Sequence, residues 1–494
     1  MDQSLIDVYR AKVVEPVNHL IDGKSVAASD GGTMDILSPI NGAVLTQVAR
    51  GTSVDMESAI ASARASFRDR RWADESPAVR KRVLLKWAEL IQEHALELAV
   101  LGVRDNGTEI GMALKAEPGS AASTIRYYAE ALDKVYGEIA PTASDVLGLI
   151  HKEPIGVVGA IIPWNFPMMI GAWKLGPALA MGNSVVLKPS ETASLSLLRM
   201  AELALEAGVP PGVLNVVTGE GAVVGETLGL SMDVDAIVFT GSGGTGRRLM
   251  EYSARSNMKR VYLELGGKSP NIVFADAPDL EEAARVAAHG IFRNSGQVCI
   301  AGSRLLVEAS IHDEFVAQVA KVAESMRVGD PLDVNTNIGA INSEAQLAQN
   351  LEFIKIAQSE GGDVVTGGNR ILQNTGGYYM APTIVDGVAV DATLAQKEVF
   401  GPVLAVTQFQ DDKQAISLAN STDYGLAGGV WTSDLSRAHR MIRAVRTGVM
   451  HVNTYGGADN TVPLGGVGQS GNGHDKSLHA LDKYVDLKTA WIKL

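Results

Sequence analysis

Between residues 155 and 265 the chain repeats one pattern, and that pattern leaves few folds open. Short apolar runs alternate with helical stretches such as 194–207. The runs are Gly156-Val157-Val158-Gly159-Ala160-Ile161-Ile162, Ser184-Val185-Val186-Leu187, Val213-Leu214-Asn215-Val216-Val217 and Ala236-Ile237-Val238-Phe239. Near-continuous apolar strands separated by helices are the signature of a parallel sheet with crossover helices. A dinucleotide-binding lobe is the expectation. A second α/β pattern runs from 266 to about 450. Its strands are expected at 271–274, 303–307, 403–408 and 429–431, and its helices at 280–292, 311–326, 343–360 and 436–445.

The flanks differ. Residues 18–50 read as short strands with turns at Asp22-Gly23, Asp30-Gly31-Gly32 and Asn41-Gly42. Met56, Ala59, Ile60 and Ala63 form an amphipathic stripe, and helical periodicity continues to about 135. Segment 136–154, punctuated by Gly137, Pro141 and Gly148, reads either as a surface excursion or as an oligomerisation arm. The tail at 484–488 alternates like an exposed strand, and such an edge invites pairing.

The formal net charge of −13 argues against nucleic-acid binding, which needs a positive surface. The most apolar stretch, 155–187, is interrupted by Pro163, Asn165, Pro167, Lys174 and Pro177, so no membrane span is expected. No secretory signal pattern opens the chain. Cytoplasm is the expected location, where a thiol stays reduced.

Cys299 is the only cysteine, so no internal disulfide is possible and no metal site is expected. A buried small hydrophobe is the bland reading. Its company points elsewhere. Pro163-Trp164-Asn165-Phe166-Pro167 offers a side-chain amide, Leu263-Glu264-Leu265-Gly266-Gly267-Lys268 a carboxylate, and Glu398-Val399-Phe400-Gly401-Pro402 lies downstream. A thiol nucleophile, an amide donor and a carboxylate base are the parts needed for acyl chemistry at a carbonyl carbon.

Gly241-Ser242-Gly243-Gly244-Thr245-Gly246 follows a strand and satisfies G-x-G-x-x-G. Glu264 lies about 20 residues on, where a ribose-binding acid would stand. We prefer Lys188-Pro189-Ser190-Glu191 for the ribose hydroxyls, because it ends a buried strand on the side where α/β folds hold ligands. Glu191 would repel a 2′-phosphate, which favours NAD over NADP. The Gly241 turn still offers its backbone and Ser242 to phosphate.

These motifs, in this order, with Gly465-Gly466 and Ser470-Gly471 after them, make the sequence resemble the aldehyde dehydrogenase superfamily over nearly its whole length. The resemblance implies an α/β fold with a Rossmann-like cofactor lobe, an α/β catalytic lobe and a small β oligomerisation element, assembled as a homodimer or homotetramer. It places the NAD-binding domain at 1–135 and 155–265 and the catalytic domain at 266–457. The arm falls at 136–154 and 481–494, and a substrate loop at 458–480. It implies Cys299 as nucleophile, Asn165 as oxyanion donor, Glu264 as general base for thioester hydrolysis, and Lys174 with Asp475 as a proton relay. The family commonly has Arg-Glu where this chain has His474-Asp475, and Asp475 reads equally as a surface helix cap. Implied cofactor contacts are Ile161, Pro163, Trp164, Lys188, Ser190, Glu191, Gly221, Gly225, Phe239, Thr240, Gly241, Ser242, Leu265, Glu398 and Phe400. A general base suits release of a free acid rather than transfer to CoA. A non-catalytic NAD-binding protein on the same fold is the remote alternative.

The resemblance implies an aldehyde substrate. Stretches 256–261, 434–441 and 470–481 look like bacterial γ-glutamyl-γ-aminobutyraldehyde dehydrogenases, which ranks ω-amino or acylamino aldehydes first. Asp459 and Glu117 are the acids expected to attract an ammonium. Arg293 departs from that pattern: an arginine six residues before the nucleophile suits a carboxylate, as in semialdehyde dehydrogenases. Phe166, Ile170, Trp173, Val298, Ile300, Ala458 and Leu464 complete the implied pocket. Ala458 and Leu464, where aromatics are frequent, widen it for medium-chain or aromatic aldehydes.

Overall fold

The computed structural model describes residues 1–457 and 459–494. The sequence-expected runs become the strands Val157–Ile161, Ser184–Lys188, Leu214–Val216 and Ala236–Thr240, joined by Arg260–Glu264. These five are parallel, in the order Arg260–Glu264, Ala236–Thr240, Val157–Ile161, Ser184–Lys188, Leu214–Val216. The antiparallel strands His19–Ile21 and Lys24–Val26 extend the far edge. The parallel part therefore starts in the middle at Val157–Ile161, winds outward one way, and returns to wind the other way. Strand order reverses between Val157–Ile161 and Ala236–Thr240, and an open α/β sheet binds its ligand at the carboxyl ends flanking such a reversal. Register brings those ends level: Thr240 pairs with Glu264, and Ile161 pairs with both Phe239 and Lys188.

The second sheet has the order Asp363–Thr366, Thr383–Asp386, Val403–Phe409, Arg304–Glu308, Pro270–Val273, Ala427–Trp431, Val449–Val452. Only the Asp363–Thr366 edge is antiparallel. Helix Pro167–Ala180 is buried at almost every position, including Lys174. A helix with no polar face belongs inside a core, and this one packs in the main apolar cluster.

Segment 136–154 does not stand alone. Val146–Pro154 pairs with Glu138–Ala140 on one side and with the C-terminal strand Val485–Lys493 on the other. The tail strand expected from alternation thus supplies the third strand of a small sheet. Ile139, Leu487 and Trp491 on this sheet are exposed. Among the described residues, no helix is long and apolar enough to cross a membrane.

Candidate active site

Cys299 stands at the end of a loop with a forced shape. Helix Leu280–Phe292 stops at Arg293, and Asn294, Ser295 and Gly296 follow with φ of 47°, 53° and 71°. A β-carbon on Gly296 would lie 2.1 Å from the Gly401 carbonyl oxygen, so only glycine lets the loop pass. Left-handed backbone at two non-glycine residues is costly and persists only when neighbours fix it. Here Thr108 Oγ1 donates to Asn294 Oδ1 at 2.8 Å, Asn294 N–H donates to Glu109 Oε1 at 3.1 Å, and Asn342 N–H donates to Gln297 Oε1 at 2.8 Å. Tyr455 donates its hydroxyl to Ile300 O at 2.9 Å just beyond the thiol.

Cys299 and Asn165 both line a cavity of about 460 Å³. Its other walls include Pro163 and Trp164 after one central strand, Thr240 to Gly243 after the other, and Leu265, Glu398 and Phe400. Trp164 and Phe400 meet edge to face at 5.3 Å. The cavity therefore runs from the reversal point of the sheet to the thiol. Asn165 spends one side-chain N–H on Gln297 O at 2.9 Å, and an amide group has two. Burial, then the charges of Glu398 and Glu264, push the Cys299 thiol up to about 12. At rest the group is a thiol, and it would have to lose its proton to attack a carbonyl.

Glu264 is not among the residues lining this cavity, but its charge is felt at Cys299. It is buried, and burial followed by the Asp475 charge raises its carboxyl well above the usual range. Its Oε1 has no protein hydrogen-bond partner. Asp475 is fully buried, which overturns its reading as a surface cap. Lys174 Nζ donates to one of its oxygens and Lys483 Nζ donates to the other at 2.6 Å. Burial opposes its charge, but the two lysines outweigh burial and hold it low. Lys483 escaped sequence reading because only the fold brings it to Asp475.

The strand-end lysine and glutamate also meet. Lys188 Nζ donates to Glu191 Oε1 at 2.7 Å, and the same oxygen accepts from Gly221 N–H at 2.7 Å. Ser242 caps helix Gly243–Ala254. The donor set fits a dinucleotide. The buried Thr240 Oγ1 has no partner, a β-carbon at Gly225 would meet open space, and the cavity lies at the sheet's reversal point. Ser190 is buried beside this strand end. Ile161 and Phe239 sit in the apolar cluster beneath it rather than on the cavity wall.

Of the substrate residues, Ile170 lines the cavity. Phe166, Trp173, Val298 and Leu464 are buried around it in the main cluster, with Ile300 partly buried against them. Arg293 turns inward under Gly456, and its Nε has no partner. One expectation is corrected. Glu117, expected to attract a substrate ammonium, is not open to a ligand: it lies 3% exposed in the π-helical turn Lys115–Gly119. Its Oε2 accepts from Met169 N–H at 2.8 Å in the first turn of Pro167–Ala180, so it caps that helix. Asp459 is exposed and its Oδ1 accepts from Thr461 N–H at 2.8 Å. Ala458 lies outside the described residues. Among the described residues, no group of three or more His, Cys, Asp or Glu is placed to hold a metal ion.

Residues 26–490 match the Aldehyde dehydrogenase family. The chain is 51% identical over 474 residues to the NADP/NAD-dependent aldehyde dehydrogenase PuuC of Escherichia coli, covering 96% of this chain and 95% of that protein. It superposes with a TM-score of 0.98, at 49% identity and full coverage of both chains, on the Pseudomonas syringae indole-3-acetaldehyde dehydrogenase in complex with NAD+ and IAA. The γ-glutamyl-γ-aminobutyraldehyde dehydrogenase of Burkholderia cenocepacia gives 0.98 at 48% identity, again with full coverage of both chains. Fold and site thus define an α/β oxidoreductase built around a cysteine. The chain belongs to the aldehyde dehydrogenase family and is an enzyme of that class.

Proposed function

We propose that this protein oxidises an ω-amino or acylamino aldehyde to the acid with NAD, using Cys299 as nucleophile. The observation that carries the reading is that Cys299 and Asn165 share one cavity with the turn at the sheet's reversal point. The thiolate forms a C–S bond to the aldehyde carbon, and the carbonyl electrons move to oxygen. The second N–H of Asn165 and the backbone N–H of Cys299 stabilise that oxyanion, each worth roughly 3 kcal/mol. NAD, when bound in this cavity, would supply the acceptor for the hydride that leaves the thiohemiacetal carbon, with C=O re-forming to give the thioester. Glu264 then takes a proton from water as its oxygen attacks the thioester carbon, the C–S bond breaks, and the acid leaves. Lys174 and Asp475 carry that proton away.

Lys188, Ser190 and Glu191 hold one ribose, Gly221, Gly225, Gly241 and Ser242 flank the phosphates, and Glu398 and Phe400 hold the nicotinamide end. Ile161, Pro163, Trp164, Phe239, Thr240 and Leu265 shape the floor. Burial raises the Glu191 carboxyl, but Lys188 outweighs it and holds the group below its ordinary range, so it stays anionic and disfavours a 2′-phosphate. We assign 1–135 and 155–265 to cofactor binding, 266–457 to catalysis, 458–480 to the substrate loop, and 136–154 with 481–494 to an arm. Exposed Ile139, Leu487 and Trp491 suit pairing of that arm in a homodimer or homotetramer. A cytoplasmic location suits the reduced thiol.

The substrate class rests on likeness to the γ-glutamyl-γ-aminobutyraldehyde dehydrogenase. A second reading, a carboxylate-bearing semialdehyde, is favoured by Arg293, whose buried Nε is unpartnered. A γ-glutamyl aldehyde carries both an amine and a carboxylate. The test is initial NADH formation from 4-aminobutanal, its γ-glutamyl amide, succinate semialdehyde, hexanal and phenylacetaldehyde. An advantage of about tenfold in kcat/KM for the amine or amide, roughly 1.4 kcal/mol, is expected. A flat profile, or preference for hexanal, refutes the charged-substrate reading.

A further inference from the structure

Asp475 lies between two lysines, not one, and the second has no place in the reaction described above. Asp475 sits on a short backbone bridge, exchanging N–H and O with Leu464 at 2.7 and 2.8 Å. That bridge fixes its depth. Lys174 reaches one oxygen from helix Pro167–Ala180, and Lys483 reaches the other from the 3₁₀ stretch Leu478–Tyr484. Lys483 is itself 5% exposed, and its ammonium lies 6.0 Å from the Tyr262 ring centre and 5.6 Å from that of Tyr484. A buried ammonium needs such partners, because desolvation is costly. Tyr262 is two residues before Glu264 on strand Arg260–Glu264.

We propose that Lys483 is a positioning residue for the water-activating step: it holds the second oxygen of Asp475 and supplies a second positive charge beside Glu264. This rests on the reading of Glu264 as the base. Charge counting gives the reason. Asp475 and Glu264 are two buried carboxyls, and Lys174 alone neutralises one of them. With Lys483 present, two ammoniums face the two carboxyls, so the cluster has no net formal charge when both are ionised. The other groups facing Asp475 are Tyr128 from helix Ser120–Ala131, Tyr484, and its neighbour Lys476. Burial and the Asp475 charge raise the Glu264 carboxyl, while Lys174 and Lys483 both pull it down. Burial also lowers Lys174; Asp475 raises it and Lys483 lowers it. The same ammonium therefore favours the ionised, proton-accepting form of Glu264 and eases release of a proton from Lys174.

The test uses p-nitrophenyl acetate on the full-length enzyme. The thiolate attacks the acetyl carbon, the C–O bond to p-nitrophenol breaks, and the resulting thioester is cleared by water. A burst of p-nitrophenol counts competent Cys299, and the steady rate per burst site reports hydrolysis. The neutral variants Lys483→Met and Lys483→Gln are expected to move the acid limb of that steady rate upward by about one pH unit or more. Lys483→Arg is expected to restore it. Lys483→Gln keeps an N–H for Asp475, so it serves where the Met variant fails to fold. A purely structural lysine would lower Tm and leave the limb in place; a limb unmoved in a variant with a normal burst overturns the proposal. Absence of a burst in the wild type would instead refute the reading of Cys299, and this proposal with it.

Discussion

A β-carbon on Gly266 would lie 1.9 Å from Glu398 Oε2, so that carboxylate occupies its place only because residue 266 has no side chain. The neighbouring Gly267 N–H donates to Glu398 Oε1 at 2.9 Å and orients it toward the cavity. Gly266→Ala is expected to displace Glu398 and weaken NAD binding about tenfold, a loss near 1.4 kcal/mol. Calorimetric titration of the free enzyme with NAD reads it directly. Unchanged affinity would remove Glu398 from the cofactor site.

Glu191 gives the cofactor preference a second handle. Its Oε1 is held from two sides, by Lys188 and by Gly221. Glu191→Gln keeps the acceptor and removes the charge. The ratio of kcat/KM for NADP to that for NAD is expected to rise roughly tenfold, because repulsion of a dianionic phosphate is relieved while Lys188 remains to attract it. A ratio that does not move would mean the ribose lies elsewhere.

The sequence carried the sheets better than the charges. Val157–Ile161 and Ser184–Lys188 were legible because buried strands announce themselves locally as apolar runs. Thr383–Asp386, Asp363–Thr366 and Val449–Val452 were not, being only four residues long. Cys299, Asn165 and Glu264 stood out by motif. Lys483 did not, because its partner Asp475 is eight positions away in an irregular stretch and Lys174 is hundreds of residues earlier. Glu117 was misread for a related reason. The turn holding it is π-helical and contains Pro118, and its carboxyl is buried against the first turn of the next helix, which sequence alone does not report. Depth is a tertiary property, and no local pattern reports it.

That misplaced carboxyl has a thermodynamic signature. Burial pushes Glu117 up to about 8, and the Met169 N–H only partly offsets this. In the unfolded chain the group loses its proton near its ordinary value of 4.5, while the folded chain keeps it until about 8. The unfolded state thus binds fewer protons between those values, and stability falls as pH rises through that window, by about 1 kcal/mol per unit. Glu117→Gln retains an acceptor for Met169 N–H and abolishes the titration. Its Tm relative to wild type is expected to improve by about 3 °C between pH 5.5 and pH 9. A gap independent of pH would show that the carboxyl is not protonated in the fold.

Substitution of Arg293 tests which of the two substrate classes the protein takes. Its guanidinium packs under Gly456, where a β-carbon would lie 2.8 Å from Nη2, and φ of +81° there also demands glycine. Burial holds Arg293 below its usual value, with Glu109, Tyr455 and Cys299 as its charged or titratable surroundings. Among the described residues it forms no ion pair within 4.0 Å. A partly buried cation without a paired anion is satisfied best when the ligand brings the anion, and such a charged hydrogen bond is worth about 1.5–3 kcal/mol. Arg293→Leu is therefore expected to cut kcat/KM for succinate semialdehyde by roughly tenfold to a hundredfold relative to hexanal. The γ-glutamyl aldehyde, with its own carboxylate, is expected to fall less than the semialdehyde, and 4-aminobutanal to rise as a repelling charge is removed. If Arg293 only props the loop above it, all the aldehydes fall by the same factor, because a misplaced loop has no means of telling a carboxylate from an amine.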